Sequence, residues 1–197
     1  MKTVLGLLAL VAAAGTAGAQ ITATAAPLDA APGFDARATP VFSAIPGPYV
    51  AFGAASGFLG FDDYDTILAG GSETLTELRF VGGVTAVGGI IDFNFYDSTG
   101  ANLLSTFNAA FGSAGNFIWT ITGLSNLIAD QGRLELVARP GTNAQWFLST
   151  SAPTLGTEDR AVGTLTSHSH RFELSIPAPG SLALLGLGGL VIGRRRR

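Results

Sequence analysis

Period-2 hydrophobic segments, dense turn signals and the lack of any long helical pattern predict an all-β fold. The expected architecture is a two-sheet antiparallel β-sandwich, of which the jelly roll is one form. The clearest strand is Ile91-Asp92-Phe93-Asn94-Phe95-Tyr96, with Ile91, Phe93 and Phe95 on one face and Asp92 and Asn94 on the other. "NFIWTIT" repeats the pattern, with Phe117, Trp119 and Ile121 inward and Thr120 and Thr122 outward. In "RLELVA", Leu134 and Leu136 oppose Arg133 and Glu135; in "TLTELRF", Leu78 and Phe80 oppose Glu77 and Arg79. Eight to ten such strands are expected.

The separators suit hairpins. Asp97-Ser98-Thr99-Gly100 has Asp first and Gly fourth, the residue choice of a type I turn. Gly-Gly pairs at 70–71, 82–83 and 88–89, then Gln131-Gly132 and Pro140-Gly141, punctuate the rest. "GLSNLIADQG" is the one stretch read as a short crossing turn, and no fixed-period repeat is visible. Residues 20–48, rich in Ala, Pro and Thr, read as a loose arm or first strands, with the sandwich over 49–175.

Hydrophobic residues make up 47% of the chain and charged residues 13%, which excludes a disordered polymer. There is no cysteine, hence no disulfide, thiolate metal site or cysteine nucleophile. The body from Gln20 to Gly193 sets 14 acids against Arg37, Arg79, Arg133, Arg139, Arg160 and Arg171, a net of −8. Such a body repels phosphate backbones, so nucleic acid is not an expected partner.

Both ends read as addresses. "MKTVLGLLALVAAAGTAGAQ" has Lys2, an apolar run from Val4 to Ala14, and small residues at Ala17-Gly18-Ala19. This is the layout of a secretory signal over 1–19, cut by signal peptidase between Ala19 and Gln20. Residues 176–197 run Ile176, Pro177-Ala178-Pro179, an uncharged stretch from Gly180 to Gly193, and Arg194, Arg195, Arg196 and Arg197. The uncharged run from Ser181 spans about 20 Å as a helix, short of a hydrocarbon core of ~30 Å. Extending it back to Ile176 gives a marginal transmembrane helix, stopped by the arginines on the cytoplasmic side.

A proline motif, an apolar helix and an arginine cluster in that order resemble the PEP-CTERM sorting signal of exopolysaccharide-producing bacteria, in the form "PAPGS" that planctomycete tails carry. Ala178 stands where the family's name-giving motif has glutamate. The resemblance implies export, transient C-terminal membrane anchoring and recognition of the proline motif by an exosortase-like membrane protease. It implies a final place at the cell surface or in the extracellular matrix.

The body offers fewer signals. Asp62, Asp63 and Asp65 are the densest acidic cluster; they read as a solvated edge or turn, or as oxygen ligands for Ca²⁺, a hard cation, although Asp62 and Asp63 point to opposite faces of a strand and the spacing is not that of a calcium loop. No other cofactor is implied. His168 and His170 share a strand face, as two metal ligands or as a polar strand end. Trp119 alternates inward and reads as core. Trp146, beside Phe147, is the candidate sugar platform, because one of that pair is expected to face out. No G-x-S-x-G or H-E-x-x-H occurs. The expected body is thus a non-enzymatic structural or carbohydrate-binding module with exopolysaccharide as partner. A secreted sandwich enzyme acting on polysaccharide, or a permanently anchored surface protein, are the alternatives.

Arginine at mid-membrane costs roughly 2.5–3.5 kcal/mol on the insertion scale. Replacing Arg194 to Arg197 by serine should therefore send uncleaved protein into the medium. Replacing Pro177 and Pro179 by alanine should instead leave full-length protein in the membrane. Immunoblots of the two fractions separate these failures, and a proline variant processed like wild type would refute the motif's role.

Overall fold

The computed structural model describes residues 20–30, 38–51, 53–158 and 168–178. Its regular structure is strand throughout, with no helix among the described residues. In chain order the strands are β1 (Thr22–Ala26), β2 (Ala38–Ser43), β3 (Gly57–Asp65), β4 (Ser72–Val84), β5 (Ile90–Asp97) and β6 (Leu103–Ala110). Then follow β7 (Gly115–Ala129), β8 (Gln131–Ala138), β9 (Ala144–Trp146), β10 (Leu148–Ser149), β11 (Ser169–His170) and β12 (Phe172–Pro177). The larger sheet has the order β1-β7-β4-β12-β2, with β9 also on β4; the smaller is β3-β8-β5-β6; β10 and β11 form a separate pair. Every pairing is antiparallel.

Alternation builds one core from both sheets. On the larger sheet the inward row runs Ala23, Ile121, Leu78, Leu174 and Phe42, each opposite the next. On the smaller sheet Leu136, Phe93 and Phe107 form the corresponding row. The two sets belong to a single buried cluster. Phe80 of the larger sheet meets Phe93 of the smaller edge-on at 5.5 Å, and Phe111 meets Trp119 at 4.6 Å. Such pairs are worth about 0.5–1.5 kcal/mol each beyond area burial.

The outer face of the larger sheet is also covered. Val81, Ile118, Phe147 and Ile45 make a second apolar cluster there. This corrects the sequence argument about Trp146 and Phe147. Trp146 faces the main core and Phe147 the second cluster, so both are buried, at 3% and 4% exposure. Alternation assigns faces, but it does not say that the second face is wet.

Three further expectations change. "GLSNLIADQG" is no turn but the second half of β7 and the start of β8, with β7 turning at Gly123. Gly123 sits at φ +78, and a Cβ there would lie 2.4 Å from the Gln20 carbonyl oxygen. Of the two readings of residues 20–48 the first-strand one holds, since they supply β1 and β2, but both are hydrogen-bonded into the larger sheet, so no boundary falls at 48. Nor does one fall at 175, because β12 continues to Pro177, opposite Ala38. The Asp97–Gly100 turn forms as expected, with the Gly100 N–H donating to the Asp97 carbonyl at 2.9 Å and Gly100 at φ +68.

Phe80 is wholly buried between the sheets, whereas Phe58 is 57% exposed. Phe80→Ala should cost about 3–5 kcal/mol, a melting drop of roughly 10 °C for a domain of this size. Phe58→Ala should stay within about 0.5 kcal/mol. Thermal melts followed by circular dichroism give both numbers, and equal losses would contradict the two-sheet core.

Candidate ligand-binding face

Among the described residues, the outer face of the smaller sheet is a broad strand surface left partly open. Its rows follow from register. Phe58 lies opposite Val137, and Val137 opposite Asp92. Phe61 lies opposite Glu135, then Asn94, then Thr106. Asp63 lies opposite Arg133, then Tyr96. A register shift between Phe58 and Gly60 inserts an extra residue, which brings Phe58 onto the face of Phe61. The two rings lie 6.3 Å apart.

These side chains are held in place by one another. Arg133 donates from Nε and Nη2 to the two oxygens of Asp63, at 2.6 and 3.2 Å, and its guanidinium carbon lies 4.3 Å from the Phe61 ring centre. This is a bidentate pair stacked on an aromatic ring, a geometry that arginine's planar fork favours. Glu135 Oε1 accepts from Asn94 Nδ2 at 3.0 Å and from the Tyr96 hydroxyl at 3.3 Å, while Thr106 donates to Asn94 Oδ1 at 2.8 Å. Partial burial and the Glu135 charge both raise the Tyr96 pKa, which keeps that hydroxyl a donor. Arg139 holds Asp92 at 2.7 Å, and Gln131 holds Asp65 at 3.1 Å. A cleft of about 480 Å³ opens where β8 begins, beside Asp65 and Ser98, and one of about 350 Å³ where β8 ends, beside Arg139.

The predicted residues divide between this face and the interior. Asp63 and Asp65 are on the face. Asp62 points the other way and is buried, so the three aspartates do not converge on a Ca²⁺ ion. Among the described residues no three His, Cys, Asp or Glu side chains come together as a metal site. Trp146 is no sugar platform, because its ring stacks on His170 at 3.9 Å and its indole N–H donates to the Arg171 carbonyl at 3.2 Å. Trp119 is in the core. His168 is half-buried, while His170 is buried against Gly60, where a Cβ would lie 2.6 Å from its ring. His170 is therefore neither an exposed strand end nor an open ligand.

Asp62 and His170 form an inward polar pair. The His170 backbone N–H donates to Asp62 Oδ2, and His170 Nδ1 lies 3.6 Å from the same oxygen, too far for a hydrogen bond. Burial pushes the Asp62 pKa well up and the His170 pKa down to about 3. Both groups are thus driven towards their neutral forms.

Sequence reasoning missed Phe58, Phe61, Tyr96, Asn94, Arg133 and Glu135 as a group. The alternation marked several of them as outward, but register is what aligns three strands into one surface, and nothing local reveals the extra residue at 59.

Of the addressing segments, Gln20 is exposed just before β1, while Ser175, Ile176 and Pro177 end the last strand and Ala178 follows it. Ala17, Ala19, Pro179, Arg194, Arg195, Arg196, Arg197 and the expected transmembrane helix lie outside the described residues. No helix among the described residues is long and apolar enough to cross a membrane. Residues 175–197 match the PEP-CTERM protein-sorting motif, so the chain carries this sorting motif, which supports export through a C-terminal signal. That motif entails processing by exosortase, a membrane protease, and C-terminal membrane anchoring before display at the cell surface. No curated protein and no solved structure matches the chain.

A depressed His170 pKa gives stability that is full above pH 6.5 and is progressively lost as pH falls towards 3. The raised Asp62 pKa has the opposite sense: its contribution is full below 3.8 and is lost as pH rises. His170→Phe, which retains a ring over Trp146, should gain on wild type as pH drops from 6.5 to 4. Asp62→Asn, which retains an acceptor for the His170 N–H, should exceed wild type at pH 8 and converge with it near pH 4. Urea midpoints across pH measure both, and parallel curves would rule out the assignment.

Proposed function

We propose that the body is a β-sandwich display module that binds a polysaccharide of the extracellular matrix without catalysis. The secretory signal is removed after Ala19, and the tail then delivers the folded module to the cell surface and matrix. The observation that carries this reading is the face formed by Phe58, Phe61, Tyr96, Asn94, Arg133 and Glu135. Sugar rings pair apolar C–H faces with hydroxyls, and they are met by aromatic rings interleaved with planar amide, carboxylate and guanidinium groups. The mutual hydrogen bonds limit the side-chain ordering that binding must impose. Eight residues of β8 run about 26 Å between the two clefts, a length suited to a chain of several sugars. Asp63 and Asp92 are each occupied by an arginine, which favours binding over acid–base chemistry.

The face carries Asp63, Asp65, Asp92 and Glu135 against Arg133 and Arg139, so a neutral or amino-bearing polymer suits it better than an acidic one. Affinity electrophoresis through gels containing the producing cells' own exopolysaccharide tests the reading. Wild type should be retarded, and Phe58→Ala/Phe61→Ala or Glu135→Gln should lose tenfold or more in affinity. Val50→Ala, at an exposed position that lines neither cleft and lies off the face, should match wild type. Equal mobility of wild type with and without polymer would reject carbohydrate binding and leave a purely structural body.

A further inference from the structure

Charge is distributed unevenly over this molecule. No residue in 20–28 or 101–129 is charged, and these stretches hold β1, β6 and β7. The fold gathers all three on one flank. β1 pairs with β7, and β6 is tied to β7 by Ser105 donating to the Leu127 carbonyl at 2.7 Å and Asn126 Nδ2 donating to the Thr106 carbonyl at 3.1 Å. β1 and β6 are outermost in their sheets. The opposite flank is closed, because β2 receives a bridge from Leu155 and β3 one from Thr157.

β1 is an open edge of an unusual kind. Its outer side pairs with no strand among the described residues, and its register on β7 runs from Thr22↔Thr122 to Ala26↔Ile118 without a shift. Exposed edges are ordinarily protected by charge, proline or a bulge, and Thr22–Ala26 contains none of these. Thr22, Thr24 and Ala25 are exposed.

We propose that β1 is a self-association edge, adding antiparallel to β1 of a second copy of this chain. Two features select that occupant. Two bodies of net charge −8 repel across most approaches, and the uncharged flank is where they meet without that penalty. An antiparallel strand edge is also its own complement about a two-fold axis. Centring the axis on Thr24 sets Thr24 opposite Thr24, Ala23 opposite Ala25 and Thr22 opposite Ala26, all small enough for close approach, with a favourable threonine pair in the middle. The larger sheet then continues from one copy into the next.

The chain has no cysteine, which permits a clean test on the full-length exported protein. Under mild oxidation at the cell surface, Thr24→Cys should yield a disulfide-linked species of twice the chain's mass, and Val87→Cys should not. In sedimentation velocity of the purified protein, Thr24→Lys should weaken dimerisation at least tenfold, with an unchanged circular dichroism spectrum. The Phe58→Ala/Phe61→Ala variant should dimerise like wild type, which separates this surface from the carbohydrate face. Thr24→Cys remaining monomeric, or joined to a protein of another mass, would overturn the proposal. So would a folded Thr24→Lys that sediments as wild type does.

Discussion

The structure turns on a junction of three strands at Arg171. There β12 leaves the edge of β4 and β9 takes it up, so the chains must part without stranding their backbone groups. A triangle of main-chain bonds resolves this: Val81 N–H to the Arg171 carbonyl, Phe147 N–H to the Val81 carbonyl and Arg171 N–H to the Phe147 carbonyl, each 2.9 Å. The Arg171 side chain, wholly buried, then gathers the loops around the junction. It donates to the carbonyls of Ala44 at 2.6 Å, Ser151 at 3.1 Å, Ser169 at 3.2 Å and Ser149 at 3.3 Å, and also to the Ser169 hydroxyl. Glu158 lies 3.5 Å away as its counter-charge. A guanidinium has five donors in a rigid fork and no acceptor, so it suits a site ringed by carbonyl oxygens. Removing one member of such a buried set leaves the others desolvated and unpaired, which is why these loops hold or fail together.

The same junction separates the two sheets' roles. Around it the larger sheet is covered on both faces, and even its polar outer row is buried, with Arg79 at 3.3 Å from Glu173 and Ser43 donating to Glu173 at 2.6 Å. The ligand face proposed above is the outer face of the smaller sheet, and the proposed self-association edge is the margin of the larger sheet at β1. The two proposals thus call on different surfaces.

Sorting and folding are joined at β12. This strand lies between β4 and β2, and its last residues, Ser175 to Pro177, already belong to the sorting motif. Thr22, Thr122, Glu77 and Ser175 follow one another across the sheet, so β1 begins at the same end where β12 finishes. The β4–β5 loop lies at the opposite end of the sheet.

What the sequence determined by itself was local. Alternation in β4, β5, β7 and β8 identified strands and inward residues, because a pleated chain must turn every second side chain towards the same side. The Asp97–Gly100 turn and the C-terminal sorting motif were equally legible, since turn chemistry and a short addressing motif are read within a few residues. Tertiary structure alone decided the rest. Whether a second face is wet depends on what packs against it, so Trp146 and Phe147 could both be buried. The ligand face needed three strands in register and one inserted residue at 59. The Arg171 junction needed partners at Ala44, Val81, Phe147 and Ser149, which only the folded chain brings within hydrogen-bond distance.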